Sequence, residues 1–334
     1  MHLEHPDTLI TILHLITLLA IPIHVFGTYC ILFKTPKSME SVKLIMLNFH
    51  VWCMVLDYGI TVLTVPYLLF PVLGGFPLGI LKDIGVPIEV QSYGILTLVA
   101  VVSAAAIDII ENRYYIVFAQ NTKWRRYRII LTIFNYSCSL AWTLPAFILL
   151  PDQNTAAPGA LRILEKFGTV PEYIRKAPIF VISFDLRTIT LPCMIIAGFF
   201  VVEVVVFVVV MTRGMSKLKQ TARFSKSTLK MQRNFLNAIY IQVSVYITSI
   251  QLPIFWFIVS ILADVHFQAI NNLGFVMFSF NGVVSTVIMI WIHRPYRDFC
   301  LKIVKLNKLS NNAVHVDSGG TIHSVAPRVT SNAY

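Results

Sequence analysis

The sequence predicts an all-α membrane protein, a bundle of seven transmembrane helices, and three observations lead to that fold class. Hydrophobic residues make up 56% of the chain and charged residues 13%, whereas an ordinary soluble domain carries about 25% charged residues. The apolar residues form seven long runs, and Lys and Arg are shared unequally between the connecting segments. A chain this apolar cannot cover its surface in water, so lipid is the expected solvent.

Seven stretches are long enough to cross a bilayer, because a spanning helix needs about 20 mostly apolar residues. They are residues 9–33, 44–73, 93–118, 129–150, 189–212, 236–263 and 270–292. Charged side chains interrupt only the second, third and fifth stretches. We therefore predict a seven-transmembrane domain over residues 1–292.

The distribution of basic residues predicts the orientation of this domain. Of the 27 Lys and Arg residues, 21 fall in segments on one side of the predicted bundle and six on the other. The side rich in Lys and Arg faces the cytoplasm in multi-pass proteins. The N-terminus is therefore predicted to be extracellular and the C-terminus cytoplasmic.

The segment after the seventh stretch divides into two parts. Residues 293–310 place apolar side chains near one helical face and Lys and Arg elsewhere, which predicts a short amphipathic helix on the inner leaflet. Cys300 would then lie at the membrane surface, where reversible palmitoylation and an unmodified thiol are both open. Residues 311–334 are polar and contain Ser and Thr, so a disordered cytoplasmic tail is expected.

Five charged residues inside the stretches are candidate functional groups, since such groups are costly in lipid and usually face the protein interior. Asp57 and Glu203 are predicted to line a ligand cavity or an ion site, or else to be hydrogen-bonded packing residues. Asp108, Glu111 and Arg113 lie near the cytoplasmic end of the third stretch. Arg113 can reach towards the lipid headgroups or pair with one of the two acids, and such a charge pair would suit a switch between two arrangements of the bundle.

A basic segment between the fifth and sixth stretches is the second candidate site. Residues 213–235 carry seven basic side chains and no acidic one, which suits anionic lipid, an acidic cytoplasmic partner or plain solvation. The residues predicted to face a cytoplasmic partner are Arg113, Arg125, Arg126, Lys217, Lys219, Arg223, Lys226, Lys230 and Arg233.

Several classes of protein are disfavoured by the sequence. It contains no Walker loop, no HExxH and no GxSxG pattern, so no enzyme is expected. No spacing of His with carboxylates suits a metal, and no cofactor is predicted. The net charge of +11 is spread over short connections rather than a basic domain, which argues against nucleic acid as a partner. No cysteine lies in a segment predicted to be extracellular, so no disulfide is expected there.

Together with its topology, a set of ordered motifs makes the chain resemble a G-protein-coupled receptor, and in detail the nematode chemoreceptors of serpentine receptor class H. The segments that carry the resemblance are 22–32, Lys34-Thr35-Pro36, Leu47-Asn48-Phe49-His50, Asp57, Pro66-Tyr67, Glu111-Asn112-Arg113-Tyr114 and Arg294-Pro295-Tyr296-Arg297. Asn-Pro-x-x-Tyr in the seventh stretch and Cys-Trp-x-Pro in the sixth, both typical of rhodopsin-like receptors, are missing.

The resemblance implies a plasma-membrane receptor on sensory cilia that binds a small molecule and activates a heterotrimeric G protein. It also implies that Arg113 contacts the G protein. Polar and aromatic residues at suitable depth are the predicted ligand contacts: Tyr93, Ser103, Gln242, Tyr246, Gln251, Trp256 and Asn281. Two alternatives remain open, namely a ligand-gated channel or transporter that uses Asp57 and Glu203, and a non-signalling partner of other receptors.

Overall fold

The computed structural model describes residues 3–185, 187–220, 237, 240, 241 and 243–303. It contains seven helices that are long and apolar enough to cross a membrane, which confirms the predicted fold class. These spans are Pro6–Phe33, Glu40–Thr64, Ile88–Ala119, Trp124–Ile148, Thr190–Lys217, Val243–Leu262 and Gln268–Ile292. We call the side on which the first span begins the N-terminal face and the opposite side the C-terminal face.

The third span lies at the centre of the bundle and is the most buried of the seven. It packs against the second, fourth and fifth spans, while the first span packs against the second and the seventh. Small side chains at Ala100 and at residues 104–106 are buried in these contacts. Small residues let neighbouring helix backbones approach closely where lipid gives no hydrophobic drive for association.

Three spans change their winding near one end. In the second span the α-helix Glu40–Tyr58 continues as the π-helix Gly59–Thr64, and in the third the α-helix Ile88–Tyr114 continues as the π-helix Tyr115–Ala119. In the sixth span the π-helix Ile247–Gln251 precedes the α-helix Leu252–Leu262. Pro253, which has no N–H to donate, is the second residue of that helix and directly follows the change in winding.

The prediction that the second span extends to residue 73 is wrong. Helical winding ends at Thr64, Val65 takes a left-handed φ of 41°, and Pro66 begins strand β1, Pro66–Leu68. Proline disfavours helical geometry in the residue before it, which accounts for the break. Residues 69–72 and strand β2, Leu73–Pro77, which follows them, are buried, so the chain stays as apolar here as in a membrane helix.

A three-stranded antiparallel sheet covers the N-terminal face of the bundle. Strand β3, Phe180–Ser183, completes it in the order β1-β2-β3, so β2 is bonded along both edges. The centre of β2 accepts only glycine. A Cβ atom on Gly75 would lie 2.2 Å from the carbonyl oxygen of Tyr67, and one on Gly74 would lie 2.7 Å from that of Phe180.

Short helices lie in the first, second and fourth connections between the spans. They are the 3-10 turn Lys37–Met39 and the helices Ile80–Asp83, Gln153–Glu165 and Glu172–Arg175. The fourth span consists of helices Trp124–Ala141 and Leu144–Ile148, and the fifth helix continues to Gln220. Gln153 fastens its helix to the sheet, since its side-chain amide donates to the carbonyl of Val181 and accepts from that residue's N–H.

The predicted helix after the seventh span is present in the part that the structure describes. Residues 294–303 are helical, with Tyr296 fully buried and Phe299 packed near Phe26 at a ring distance of 6.2 Å. The rest of the predicted helix, residues 304–310, and the tail, residues 311–334, lie outside the described residues. The burial of Tyr296 places this helix against the C-terminal face of the bundle.

Candidate functional site

A cavity of about 150 Å³ lies beneath the sheet at the N-terminal face. Its walls come from β1, β2 and β3 and from the neighbouring parts of the second to seventh spans. Most lining side chains are aliphatic or aromatic, as is usual for small-molecule sites. A pocket of this size accommodates a benzene-sized molecule.

The β1–β2 hairpin that roofs the cavity is held by hydrogen bonds from the seventh span and the residues just before it. The Gln268 amide donates to the carbonyl of Leu68 at 3.0 Å, and His266 Nδ1 lies 2.5 Å from the carbonyl of Phe70. The Tyr67 hydroxyl donates to the carbonyl of Glu4 at 2.5 Å, which ties in the N-terminal segment. The roof therefore moves with the first and seventh spans rather than as a free loop.

One wall of the cavity is a cluster of phenylalanines. Phe257 of the sixth span stacks on Phe70 at 4.7 Å and on Phe275 at 5.6 Å, and Phe278 approaches it edge-on at 5.9 Å. The cluster joins the roof to the sixth and seventh spans. The aromatic wall of the cavity is therefore packed directly against both spans.

Three residues that line the cavity each carry a buried polar atom with no hydrogen-bond partner in the described part of the chain. These atoms are Gln91 Oε1, Trp142 Nε1 and Thr190 Oγ1. Gln91 and Thr190 are buried, and the Gln91 amide nitrogen already donates to the carbonyl of Val86 at 2.8 Å. Buried polar atoms are normally paired, so three orphaned ones around one cavity are unusual.

The predicted ligand contacts do not line this cavity. Six of them lie within the described residues, and each of these six is hydrogen-bonded elsewhere in the bundle. Gln242 lies outside the described residues. The Tyr93 hydroxyl donates to the carbonyl of Leu140, Trp256 Nε1 donates to Asn271, and Ser103 donates to the carbonyl of Val99. Gln251 donates to the Tyr246 hydroxyl.

Asn281 and Tyr246 belong to a deeper region of the bundle. Asn281 Oδ1 accepts from the Ser249 hydroxyl at 2.7 Å, and its amide lies 3.5 Å from Cys53 Sγ. Tyr246 lines a second cavity of about 30 Å³ beside His50 and Cys53. That volume suits about one water molecule rather than an organic ligand.

Asp57 is paired inside the bundle. His24 Nε2 of the first span lies 3.0 Å from Asp57 Oδ2, and both side chains are almost completely buried. The backbone N–H of Gly282 donates to Asp57 Oδ1 at 3.3 Å. Three spans thus meet at one carboxyl group. The neighbouring His50 ring lies 3.2 Å from the Thr286 hydroxyl, which extends the polar cluster along the seventh span.

Glu203 and Asp108 also have protein partners. Asn135 of the fourth span donates to Glu203 at 3.0 Å, and Thr132 of the same span donates to Asp108 at 2.9 Å. Both carboxyl groups therefore fasten the fourth span to a neighbour. This satisfies polar groups in a region where lipid offers no hydrogen bonds.

Glu111 forms its ion pair with Arg128 rather than with Arg113. Arg128 lies 2.9 Å from Glu111 Oε2 and also donates to Asn112, while Trp124 Nε1 donates to the other carboxylate oxygen at 2.6 Å. The fourth span is thereby locked to the third at the C-terminal face. The sequence spacing alone suggested a pairing within the third span, but Arg128 approaches from the next helix.

Arg113 is directed towards the segment after the seventh span. It interacts electrostatically with His293 and Tyr296, and the Tyr296 oxygen lies 2.6 Å from the Thr35 hydroxyl. Burial lowers the pKa of His293 to about 4, and the nearby Arg113 guanidinium contributes to the lowering. Arg113 therefore lies where the third span, the first connection and the C-terminal helix meet.

Some of the residues predicted to face a cytoplasmic partner can be placed. Arg125, Arg126 and Lys217 are exposed at the C-terminal face. The Lys219 side chain and residues Arg223, Lys226, Lys230 and Arg233 lie outside the described part of the chain. Cys300 is half-buried beside Cys30, and burial raises the pKa of its thiol. Its palmitoylation stays a prediction.

Comparisons with known proteins agree with this architecture. The sequence model of the family described as serpentine type 7TM GPCR chemoreceptor Srh matches residues 4–306. The chain is also similar to serpentine receptor class H-72 of Caenorhabditis elegans, with 23% identity over 303 residues that cover 89% of this chain and 85% of the relative. The match takes in all seven spans, both cavities and the junction around Arg113.

Proposed function

Because the chain belongs to the Srh family of serpentine seven-transmembrane chemoreceptors, we propose that it is a plasma-membrane receptor for a small molecule that signals through a heterotrimeric G protein. The observation that carries the proposal is the roofed apolar cavity of about 150 Å³ at the N-terminal face. The family resemblance adds the membrane of a sensory cilium as the expected location.

The distribution of charge supports the orientation that this function needs. Basic residues are concentrated in the segments at the C-terminal face, which therefore belongs in the cytoplasm. The N-terminal face and its cavity then lie towards the extracellular side. A ligand reaches the cavity from outside, and the G protein meets the opposite end of the bundle.

Coupling between the two faces runs through the sixth and seventh spans. A ligand that fits the cavity better in one arrangement of these spans shifts the population towards that arrangement. Phe257 and Phe275 contact the cavity, and farther along the same spans lie Ser249 and Asn281. At the C-terminal face the seventh span leads into His293 and Tyr296, with which Arg113 interacts electrostatically. A shift of the seventh span therefore changes the surface that the receptor presents to a G protein.

The test of the cavity uses a screen for agonists in cells that express the receptor with a promiscuous G protein. Val99→Phe places a larger side chain in the cavity lining, and Val202→Phe makes the same change at an exposed position of the fifth span. We expect the first variant to lose the agonist response with normal surface expression, and the second to keep it. An unchanged response in Val99→Phe contradicts the assigned site.

The G-protein surface is tested by charge reversal. We expect the double substitution Arg125→Glu and Arg126→Glu to abolish signalling while ligand-induced stabilisation of the purified receptor is retained. Lys82→Glu, at an exposed site on the N-terminal face, is the control and should signal normally. Loss of signalling in both variants would point to a general charge effect instead.

A further inference from the structure

The cavity at the N-terminal face carries information about the chemistry of its ligand, and this inference rests on the proposed function. We infer that the receptor binds a neutral molecule of about six to ten non-hydrogen atoms, mostly hydrocarbon, with one hydroxyl or carbonyl group held by Gln91, Trp142 and Thr190. The size follows from the volume of about 150 Å³, because a cavity of that volume accommodates benzene.

The neutral charge follows from the lining. Among the described residues, no Asp, Glu, Lys, Arg or His side chain lines this cavity. An ionised ligand would lose its hydration shell here and gain no counter-ion. Desolvation of an unpaired ion costs far more than the contacts of a small molecule return, so carboxylates and ammonium compounds are excluded.

The oxygen group follows from the three unpaired polar atoms. Trp142 Nε1 can only donate a hydrogen bond, Gln91 Oε1 can only accept one, and the Thr190 hydroxyl can do either. A ligand hydroxyl therefore satisfies all three in turn, and a carbonyl oxygen satisfies Trp142 and Thr190. A pure hydrocarbon would leave every one of them unpaired, which a buried site penalises.

Water alone is a poor occupant. At about 30 Å³ for each molecule the cavity would hold roughly five waters, and a buried water needs two to four polar partners. Three polar atoms among many aliphatic and aromatic side chains cannot supply them. A molecule with an apolar body and one polar group matches the lining better.

The test measures binding to the purified full-length receptor in lipid nanodiscs, without a G protein. The probes share one ring: cyclohexanone, cyclohexanol, methylcyclohexane, cyclohexanecarboxylate and cyclohexylammonium. Binding is read from the increase of Tm with ligand concentration, since a ligand that binds only the folded state stabilises it by mass action. We expect the ketone and the alcohol to bind about tenfold more tightly than methylcyclohexane, and the two ions not to bind.

Two nearly isosteric variants identify the polar contacts. Thr190→Val and Gln91→Met should each weaken the binding of cyclohexanol by about three- to tenfold, the effect of one neutral hydrogen bond, and leave methylcyclohexane unaffected. Thr248→Val is the control, because Thr248 is exposed and its hydroxyl bonds to its own helix. In Val99→Phe the larger side chain fills the cavity, so any shift of Tm that a probe causes in this variant measures its partition into lipid.

The results separate this inference from the proposed function. Preference for an ion, equal binding of methylcyclohexane and cyclohexanol, or no stabilisation by either oxygen compound would overturn the assigned ligand class. None of these three results contradicts a G-protein response to a ligand of another class. Conversely, the expected binding without any G-protein response would support the ligand class and count against the receptor function.

Discussion

His24 and Asp57 form a buried pair between the first and second spans, with Nε2 and Oδ2 3.0 Å apart and side chains 0% and 1% exposed. The same carboxyl group accepts from the backbone of Gly282 in the seventh span. Polar groups placed in this way join three spans at one point. Because lipid cannot replace these partners, the integrity of the cluster controls how the three spans pack.

Loss of one member of this pair should destabilise the receptor. Asp57→Ala removes the partner of His24 Nε2, and a buried polar group left without its hydrogen bond costs about 1–3 kcal/mol. Asp57→Asn keeps a hydrogen-bonding group of the same shape and should cost less. The measurement is the Tm of the purified receptor together with its surface expression. Equal values for the two variants would show that the hydrogen bond contributes nothing.

Gly282 leaves no room for a side chain beside Asp57. A Cβ atom at Gly282 would lie 2.2 Å from Asp57 Oδ2, so Gly282→Ala must displace the carboxyl group. We expect a loss of about 1–3 kcal/mol, typical of overpacked interiors. Gly198→Ala is the matched control in the fifth span, where a Cβ meets no atom within 4 Å. That change should leave stability unchanged or raise it slightly.

The ion pair of Arg128 with Glu111 should stabilise the receptor, so loss of Arg128 should lower Tm more than loss of a neighbouring exposed arginine. The Glu111 side chain is 3% exposed, so Arg128→Ala leaves a buried carboxylate without its cation. The expected cost is about 3 kcal/mol. Arg125→Ala, an exposed position in the same helix, should change Tm little. A similar loss in both variants would mean that the pair adds no stability.

Stability should fall as the pH decreases below the ordinary pKa of histidine. The pKa of His293 is lowered from 6.5 to about 4 by burial and then by Arg113, so between these values the unfolded chain binds a proton that the native state does not. The contribution of His293 to stability therefore rises with pH across this window, and acidification from pH 7 to pH 5 should remove about 2 kcal/mol of that contribution.

His293→Gln isolates this contribution, because glutamine does not titrate. The Tm of the variant should depend less on pH between 7 and 5 than that of the unchanged receptor, even if its Tm at pH 7 is lower. Tyr296 and Arg113 are the neighbouring groups, and neither changes its charge in this range. Parallel pH profiles would show that His293 is not responsible.

Hydropathy predicted the seven spans because each of them must satisfy the same demand, about 20 apolar residues without a solvated backbone. Hydropathy wrongly predicted helix beyond Thr64 because the residues that follow are also apolar. Residues 69–73 are buried in the turn before strand β2 and at its start, so they are as apolar as those of a helix. Pro66 and Pro71 are local signals of the break, but proline occurs within membrane helices as well, as Pro22 does in the first span.

The cavity was harder to predict than the bundle. Depth along the sequence suggested Tyr93 and Trp256, but the direction of a side chain depends on helix rotation, which a stretch of uniformly apolar residues does not specify. The sequence predicts helix up to residue 73, which includes the first part of the roof. It therefore does not predict the space beneath the roof. For Asp57 the sequence predicts a ligand cavity, an ion site or a hydrogen-bonded packing position, since an isolated carboxylate in lipid is too costly. The structure shows a hydrogen-bonded contact with His24.

The three-stranded sheet has a further consequence for the way the receptor is assembled. All five cysteines, which lie within the described residues, are free thiols, and β2 is attached to β1 and β3 by main-chain hydrogen bonds and side-chain packing, such as the stacking of Tyr67 on Phe76. The closure of the cavity is therefore independent of redox potential. Unlike an ectodomain stapled by disulfides, this roof forms equally well under reducing conditions and needs no thiol oxidase or disulfide isomerase during biogenesis.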